Sequence, residues 1–312
     1  MTTHLQHAML RVHIRLLLLG LLSLAGVISG HANNIAVSNV ALTGRNTSAG
    51  ANNAANFTLV QFDLSWENSW RVSSGPSNWD AAWVFVKFQM VGGDWQHATL
   101  SNIDAQHTAP SGSTINAASD GKGIFIYRAN NSNGDNNFSA VQLRWNYGAN
   151  GLSDDAIINI QVFAIEMVYV PGGVDFNVGG GGGGFTSTTI NTANATSAPS
   201  GTGSLGGQAG GYPTGQTVPA NASWPNGYNA FYCMKYEISQ GQYRDFLNTL
   251  TRSQQDTRTA TLLSAGITSI TNRFVMSNTS SISNRNGIRC DANIDANQPI
   301  TFYCDLNNNG TG

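Results

Sequence analysis

From Val60 to Trp66 the chain reads Val-Gln-Phe-Asp-Leu-Ser-Trp, with apolar residues at every second place and polar ones between. The period recurs at Val84, Val86, Phe88 and Met90, and again through Val141-Gln142-Leu143-Arg144-Trp145-Asn146-Tyr147. A period of two puts one face of a strand on a core and the other in water. Ile35–Leu42, Gly123–Arg128 and Ile157–Ile165 are shorter strand candidates. Turn-forming clusters lie between them, at Ser73-Ser74-Gly75-Pro76 and Asn130-Asn131-Ser132-Asn133-Gly134. Six or seven short strands without a helical period between them predict a β-sandwich over residues 33–166.

The pattern changes after Pro171. Gly179 to Gly184 is an unbroken glycine run, and Thr/Ser/Asn/Gly/Pro-rich sequence continues to Gly227. Such a composition predicts a loop or linker at about 179–227, because it buries too little apolar surface to offset its ordering entropy. No Lys-Ser/Thr follows the glycines, as a phosphate-cradling loop requires. Phe231–Ile238 then reads as a strand. Ser239-Gln240-Gly241-Gln242 matches a capping box. Tyr243, Phe246, Leu247 and Leu250 follow at i, i+3, i+4 and i+7, the apolar stripe of an amphipathic helix. A second helix is expected from Gln254 to about Leu263.

The N-terminus changes the picture of where the protein works. A cationic start (Arg11, His13, Arg15) precedes the apolar run Leu16 to Ile28, and Gly30-His31-Ala32 supplies small residues before a cut. That is the layout of a secretory signal peptide over residues 1–32, which predicts a secreted, extracellular or cell-surface protein, with the periplasm also open. The run is shorter than the ~20 residues of a membrane span, and no later window is apolar enough to span, so no transmembrane segment is expected after cleavage. Composition agrees with export and excludes other classes. Charged residues are 10% of the chain, against roughly 25% in ordinary soluble domains, so neutral polar groups must keep it in solution. A net charge of −2 carries no basic footprint for nucleic acid.

Two segments together resemble the formylglycine-generating enzyme (sulfatase-modifying factor) family. Met167-Val168-Tyr169-Val170-Pro171-Gly172-Gly173 looks like that family's opening strand and turn. Phe231-Tyr232-Cys233-Met234-Lys235-Tyr236-Glu237-Ile238-Ser239-Gln240-Gly241-Gln242-Tyr243-Arg244-Asp245-Phe246-Leu247 is similar to its strand, Lys-x-Glu-Val-Thr turn and first helix. The chain departs from the family at Val174–Gly179, where a Phe-x-Met-Gly turn is usual. The resemblance covers residues 167–312 and implies the incomplete start of an α+β, C-type-lectin-like domain with the glycine-rich stretch as an insertion. It also implies a secreted protein of a kind found in Bacteroidetes-type bacteria. Enzymes of this family oxidise a sulfatase cysteine to formylglycine with O₂ and a copper ion held by two late cysteines. Those cysteines fall beyond Gly312, so the chain is expected to be a fragment lacking the catalytic half. No catalytic residue is carried over, and copper is expected only if the remainder holds the paired cysteines.

Few other residues suggest chemistry. Asp305, Asn307, Asn309 and Gly310 satisfy the first half of a D-x-N-x-N-G calcium loop. Calcium and a plain Asn/Gly-rich surface turn are both open there. Cys290 and Cys304 are placed to close a short disulfide loop in an oxidising compartment, leaving Cys233 over. His97 and His107 have no acid at ligand spacing and are expected as solvated loop histidines. Trp70, Trp79 and Trp95 lie in polar or turn-rich sequence, where exposed rings would stack on sugars, against a packing role in the fold. Two functions are therefore carried forward: a sulfatase-modifying-factor family member, and a non-catalytic adhesion, glycan-binding or structural surface protein with an extracellular glycan or protein ligand.

Overall fold

The computed structural model describes residues 34–172, 176–178, 188–190, 230–283, 285–305, 307 and 309. The expected signal peptide and most of the glycine-rich stretch lie outside the described residues. The mainly β class is as expected. Eight strands build the first part: β1 (Ala36–Asn46), β2 (Phe57–Arg71), β3 (Trp79–Met90), β4 (Trp95–His97), β5 (Ser113–Ala117), β6 (Ile124–Arg128), β7 (Ser132–Trp145) and β8 (Ile158–Val170). The chain continues through β9 (Phe176–Val178), β10 (Thr188–Ile190) and β11 (Phe231–Met234) to helices α1 (Gln240–Leu247) and α2 (Arg252–Asp256). It then forms the two-residue strands β12 (Ile288–Arg289) and β13 (Tyr303–Cys304).

β1 to β8 and β11 form one nine-stranded antiparallel sheet. β2 lies between β1 and β7. β3 pairs with β8 along its whole length, from Trp79↔Tyr169 to Met90↔Ile158. Its other edge takes β6 and then β4. The two groups meet at a single pair, Arg71↔Trp79. The alternation read from the sequence is the alternation of burial. Val60, Phe62, Leu64 and Trp66 of β2 share one core with Val84, Val86 and Phe88 of β3 and with Leu143 and Trp145 of β7. Each such side chain contributes about 1.5–3 kcal/mol by leaving water.

Strand ends differ from expectation. Ser132–Gly134 has the composition of a turn, but it begins β7, with Asn133 opposite Trp70 and Gly134 opposite Ser69. The boundary expected between residues 166 and 167 falls inside β8, which runs from Ile158 to Val170. β10 lies within the stretch expected to be a loop, paired to β9.

The C-terminal part has its own apolar core, built on Leu247, Leu263, Val275, Cys290 and Phe302. α1 starts as the capping box predicts: Gln242 N donates to Ser239 Oγ (3.2 Å) and Ser239 N to Gln242 Oε1 (2.9 Å). Of its stripe, Leu247 and Leu250 are buried and Phe246 stays exposed. The second helix is shorter and earlier than expected. A second capping box at Thr251 and Gln254 starts it, and Asp256 ends it. The chain after it is held by Arg252, which is 5% exposed. Its guanidinium donates to the carbonyls of Leu263, Ser264, Ile267, Asp295 and Gln298.

Candidate functional site

The two segments that carry the family resemblance are neighbours. β11 pairs antiparallel with the end of β8, in register from Val170↔Phe231 to Met167↔Met234, and Lys235 N continues the ladder to Glu166 O at 3.0 Å. Tyr232 leaves this strand over an aromatic row. Its ring packs on Phe125 with centres 3.8 Å apart, and its hydroxyl accepts from Trp79 Nε1 at 3.2 Å. Trp79 is itself stacked between Tyr169 (3.9 Å) and Tyr127 (5.4 Å), with the Arg71 guanidinium over it. Both faces of Trp79 are thus taken by neighbours, so this ring packs and offers no open face to a sugar. Trp70 carries the Lys235 ammonium 4.8 Å above its ring.

Directly after β11, Lys235 turns into the sheet. Its ammonium lies 2.9 Å from Asp80 Oδ2 and 3.3 Å from Glu166 Oε2, with side chains 9%, 0% and 7% exposed. Asp80 also accepts from Trp66 Nε1 (3.0 Å, Oδ2), Ser69 Oγ (2.6 Å, Oδ1) and Trp70 N (3.1 Å, Oδ1). A buried carboxylate needs such partners to offset its desolvation. β2, β3, β8 and the chain after β11 each supply a member. No spacing in the sequence links residues 80, 166 and 235.

A second feature is an open cleft of about 340 Å³ between β1, the start of β8 and the turn before it. Trp145, Leu152 and Ile158 line it, and Arg45, Thr43 and Asp154 bring polar groups to it. Asp154 holds the wall together by accepting from Asn52 N, Asn56 Nδ2 and the Tyr147 hydroxyl. The backbone donor of Asn52, foremost, keeps its carboxyl below the ordinary range. Burial, reinforced by Asp154, pushes the Tyr147 phenol up to about 12.

No family model matches this chain, no curated protein matches it in sequence, and no solved structure matches it.

The residues singled out in the sequence fall in separate places. Asp305 is buried, and its Oδ2 accepts from Arg289 Nε at 2.9 Å. Asn309 N donates to both Asp305 Oδ1 (3.1 Å) and Asn307 Oδ1 (3.2 Å). Asp305 is thus paired with a guanidinium at a backbone-closed turn. Cys233 is exposed, Cys290 buried and Cys304 half-buried, and all three thiols are free, so the expected Cys290–Cys304 link is not formed in this structure. Cys304 faces Ile288, two residues before Cys290. Burial, then the neighbouring Asp291 charge, pushes the Cys290 thiol up to about 11. His107 is a correction: expected in solvent, it is buried. It has Ser101 O 2.9 Å from Nε2 and accepts from Arg144 N at Nδ1 (3.1 Å). Burial lowers its pKa and that of His97. Among the described residues, no group of three or more His, Cys, Asp or Glu side chains gathers as a metal site, and no helix is long and apolar enough to cross a membrane.

Proposed function

We propose that this chain is a secreted or cell-surface protein of the sulfatase-modifying-factor kind, with a two-layered β part in front, that acts by binding an extracellular glycan. The family half of the reading is supported by one observation above others. Met167–Val170 and Phe231–Met234, recognised separately in the sequence, are adjacent strands in register and lead into a helix with the expected cap.

The binding half is supported by the cleft beside Asp154. Ligand sites are concave and mostly apolar, with a few convergent polar groups. A sugar ring has an apolar face for Leu152 and Ile158 and hydroxyls for Arg45, Thr43 and Asp154. The test is a glycan array probed with the full chain, followed by titration of any hit against the Arg45→Ala variant. Binding that weakens at least tenfold in the variant supports the reading. An array without signal, or affinity unchanged in the variant, overturns the glycan cleft. Aldehyde formation on a sulfatase cysteine peptide supplied with copper and O₂ would overturn the purely binding role.

A further inference from the structure

We propose that Lys235 and Asp80 become joined by an intramolecular amide bond, with Glu166 as the proton carrier. The inference stands on the junction alone and does not depend on the family reading or on the cleft.

Three requirements of amide formation meet at this point. The first is approach: Lys235 Nζ is 2.9 Å from Asp80 Oδ2, one bond from the carboxyl carbon it must attack, and positioned groups of this kind react far faster than free ones. The second is a group able to move protons. Glu166 Oε2 lies 3.3 Å from the same nitrogen, within reach of the amine whose proton must move to the leaving oxygen. The third is stabilisation of the oxygen that gains charge when nitrogen adds to the carboxyl carbon. Asp80 Oδ1 accepts from Ser69 Oγ at 2.6 Å and Trp70 N at 3.1 Å. The Ser69 hydroxyl proton is committed to that bond, because its oxygen already accepts from Arg128 Nε (3.2 Å) and Asn136 Nδ2 (2.8 Å). Donors fixed before the reaction, in a site closed to water, are the arrangement that stabilises a tetrahedral intermediate.

The surroundings favour condensation over hydrolysis. Asp80 is 0%, Trp66 and Ser69 1%, and Asn136 2% exposed. In so dry a site, proton transfer from an ammonium to a carboxylate removes two buried charges, each costly to desolvate, and leaves the neutral amine that attack requires.

The step balances without an oxidant or cofactor. Lys235 Nζ gives one proton to Glu166 and attacks Cγ of Asp80, forming the N–C bond. Addition to the carboxylate leaves negative charge on both oxygens, that on Oδ1 held by the Ser69 and Trp70 donors. Glu166 passes its proton to Oδ2, the C–Oδ2 bond breaks, and a second proton from Nζ completes the departing water. One amide and one water replace an ammonium and a carboxylate, and Glu166 ends in its starting ionisation state. The bond would tie β3 to the chain that follows β11, across 155 positions, and so would fix the junction covalently. Closing so long a loop restricts the unfolded chain most.

The test is mass spectrometry on the full chain, purified folded, with protease mapping. The expected result is a branched peptide containing Asp80 and Lys235, lighter by one water than the two linear peptides together. Glu166→Gln should leave both peptides linear while tryptophan fluorescence still reports a folded sheet. Should that variant misfold, wild-type chain held in urea from synthesis onward serves instead: it should stay unlinked and form the branched peptide only after refolding. Two full-mass linear peptides from folded wild-type chain after prolonged incubation would overturn the proposal. So would linkage in urea, or linkage at the wild-type rate in folded Glu166→Gln.

Discussion

The Tyr232 ring lies face to face with the Phe125 ring, centres 3.8 Å apart and planes within 12°, so a strand of the C-terminal segment is seated on the aromatic row of the sheet. Removing that ring leaves a gap over Phe125 and Trp79. Tyr232→Ala should cost about 3 kcal/mol, the lower end for losing a packed aromatic ring. Tyr232→Phe should cost only about 1 kcal/mol, for the hydrogen bond from Trp79. Urea unfolding curves of the two variants check both values.

Alkaline pH should loosen the protein in a defined window. Burial, above all, pushes the phenols of Tyr232 and Tyr147 up to about 12, whereas an unfolded tyrosine ionises near about 10. The folded state therefore keeps protons that the unfolded chain has already lost. Their contribution is complete below about pH 10 and disappears as pH rises through about 12. Melting temperature followed across this range should fall, and the fall should be shallower in a Tyr232→Phe, Tyr147→Phe double variant.

Gly123 makes room for Trp83. A methyl group there would sit 2.2 Å from the Trp83 ring, which is backed by Phe125 at 4.6 Å and has little freedom to move. Gly123→Ala should destabilise by about 1–3 kcal/mol, the usual cost of overpacking. Gly93→Ala, whose nearest contact would be 3.4 Å, should change little. Thermal melts of the pair decide it.

Arg252 organises the loop-rich C-terminal segment through five carbonyl oxygens rather than through apolar burial. Arg252→Met keeps much of the side-chain volume and leaves those carbonyls without their donor. Amide hydrogen exchange should then quicken around residues 263–267 and 295–298 while β2, β3 and β7 keep their protection. Uniform exchange across both parts would contradict this division.

What was legible in the sequence was local. Period-two alternation marks the inner faces of β2, β3 and β7 because burial on one face forces it, and Ser239 with Gln242 marks the start of α1 because two orphan backbone donors need those side chains. Thr251 with Gln254 carried the same signal three residues before the expected helix start. The misses are long-range. Asn130–Gly134 has the composition of a turn, yet β2 supplies ladder partners from Ser132 onward and overrides it. His107 looked solvated because nothing nearby in sequence reveals that Ser101 and Arg144 enclose it. The junction was invisible for the same reason, since Asp80, Glu166 and Lys235 stand on three separate elements. Of the three charged groups at the junction, Asp80, Glu166 and Lys235, only Lys235 lay within a motif the sequence singled out.

The central claim is that Met167–Val170 and Phe231–Met234 are adjacent strands in one sheet. Val168 stands opposite Cys233, and paired strands bring opposite α-carbons to roughly 4.5–5.5 Å, within reach of a disulfide. Mild oxidation of the full-length Val168→Cys variant, with peptide mapping, tests this directly. The expected result is rapid, high-yield linkage between position 168 and Cys233, with none when the new cysteine is placed at Ile157. Linkage no faster at 168 than at 157 would contradict the pairing.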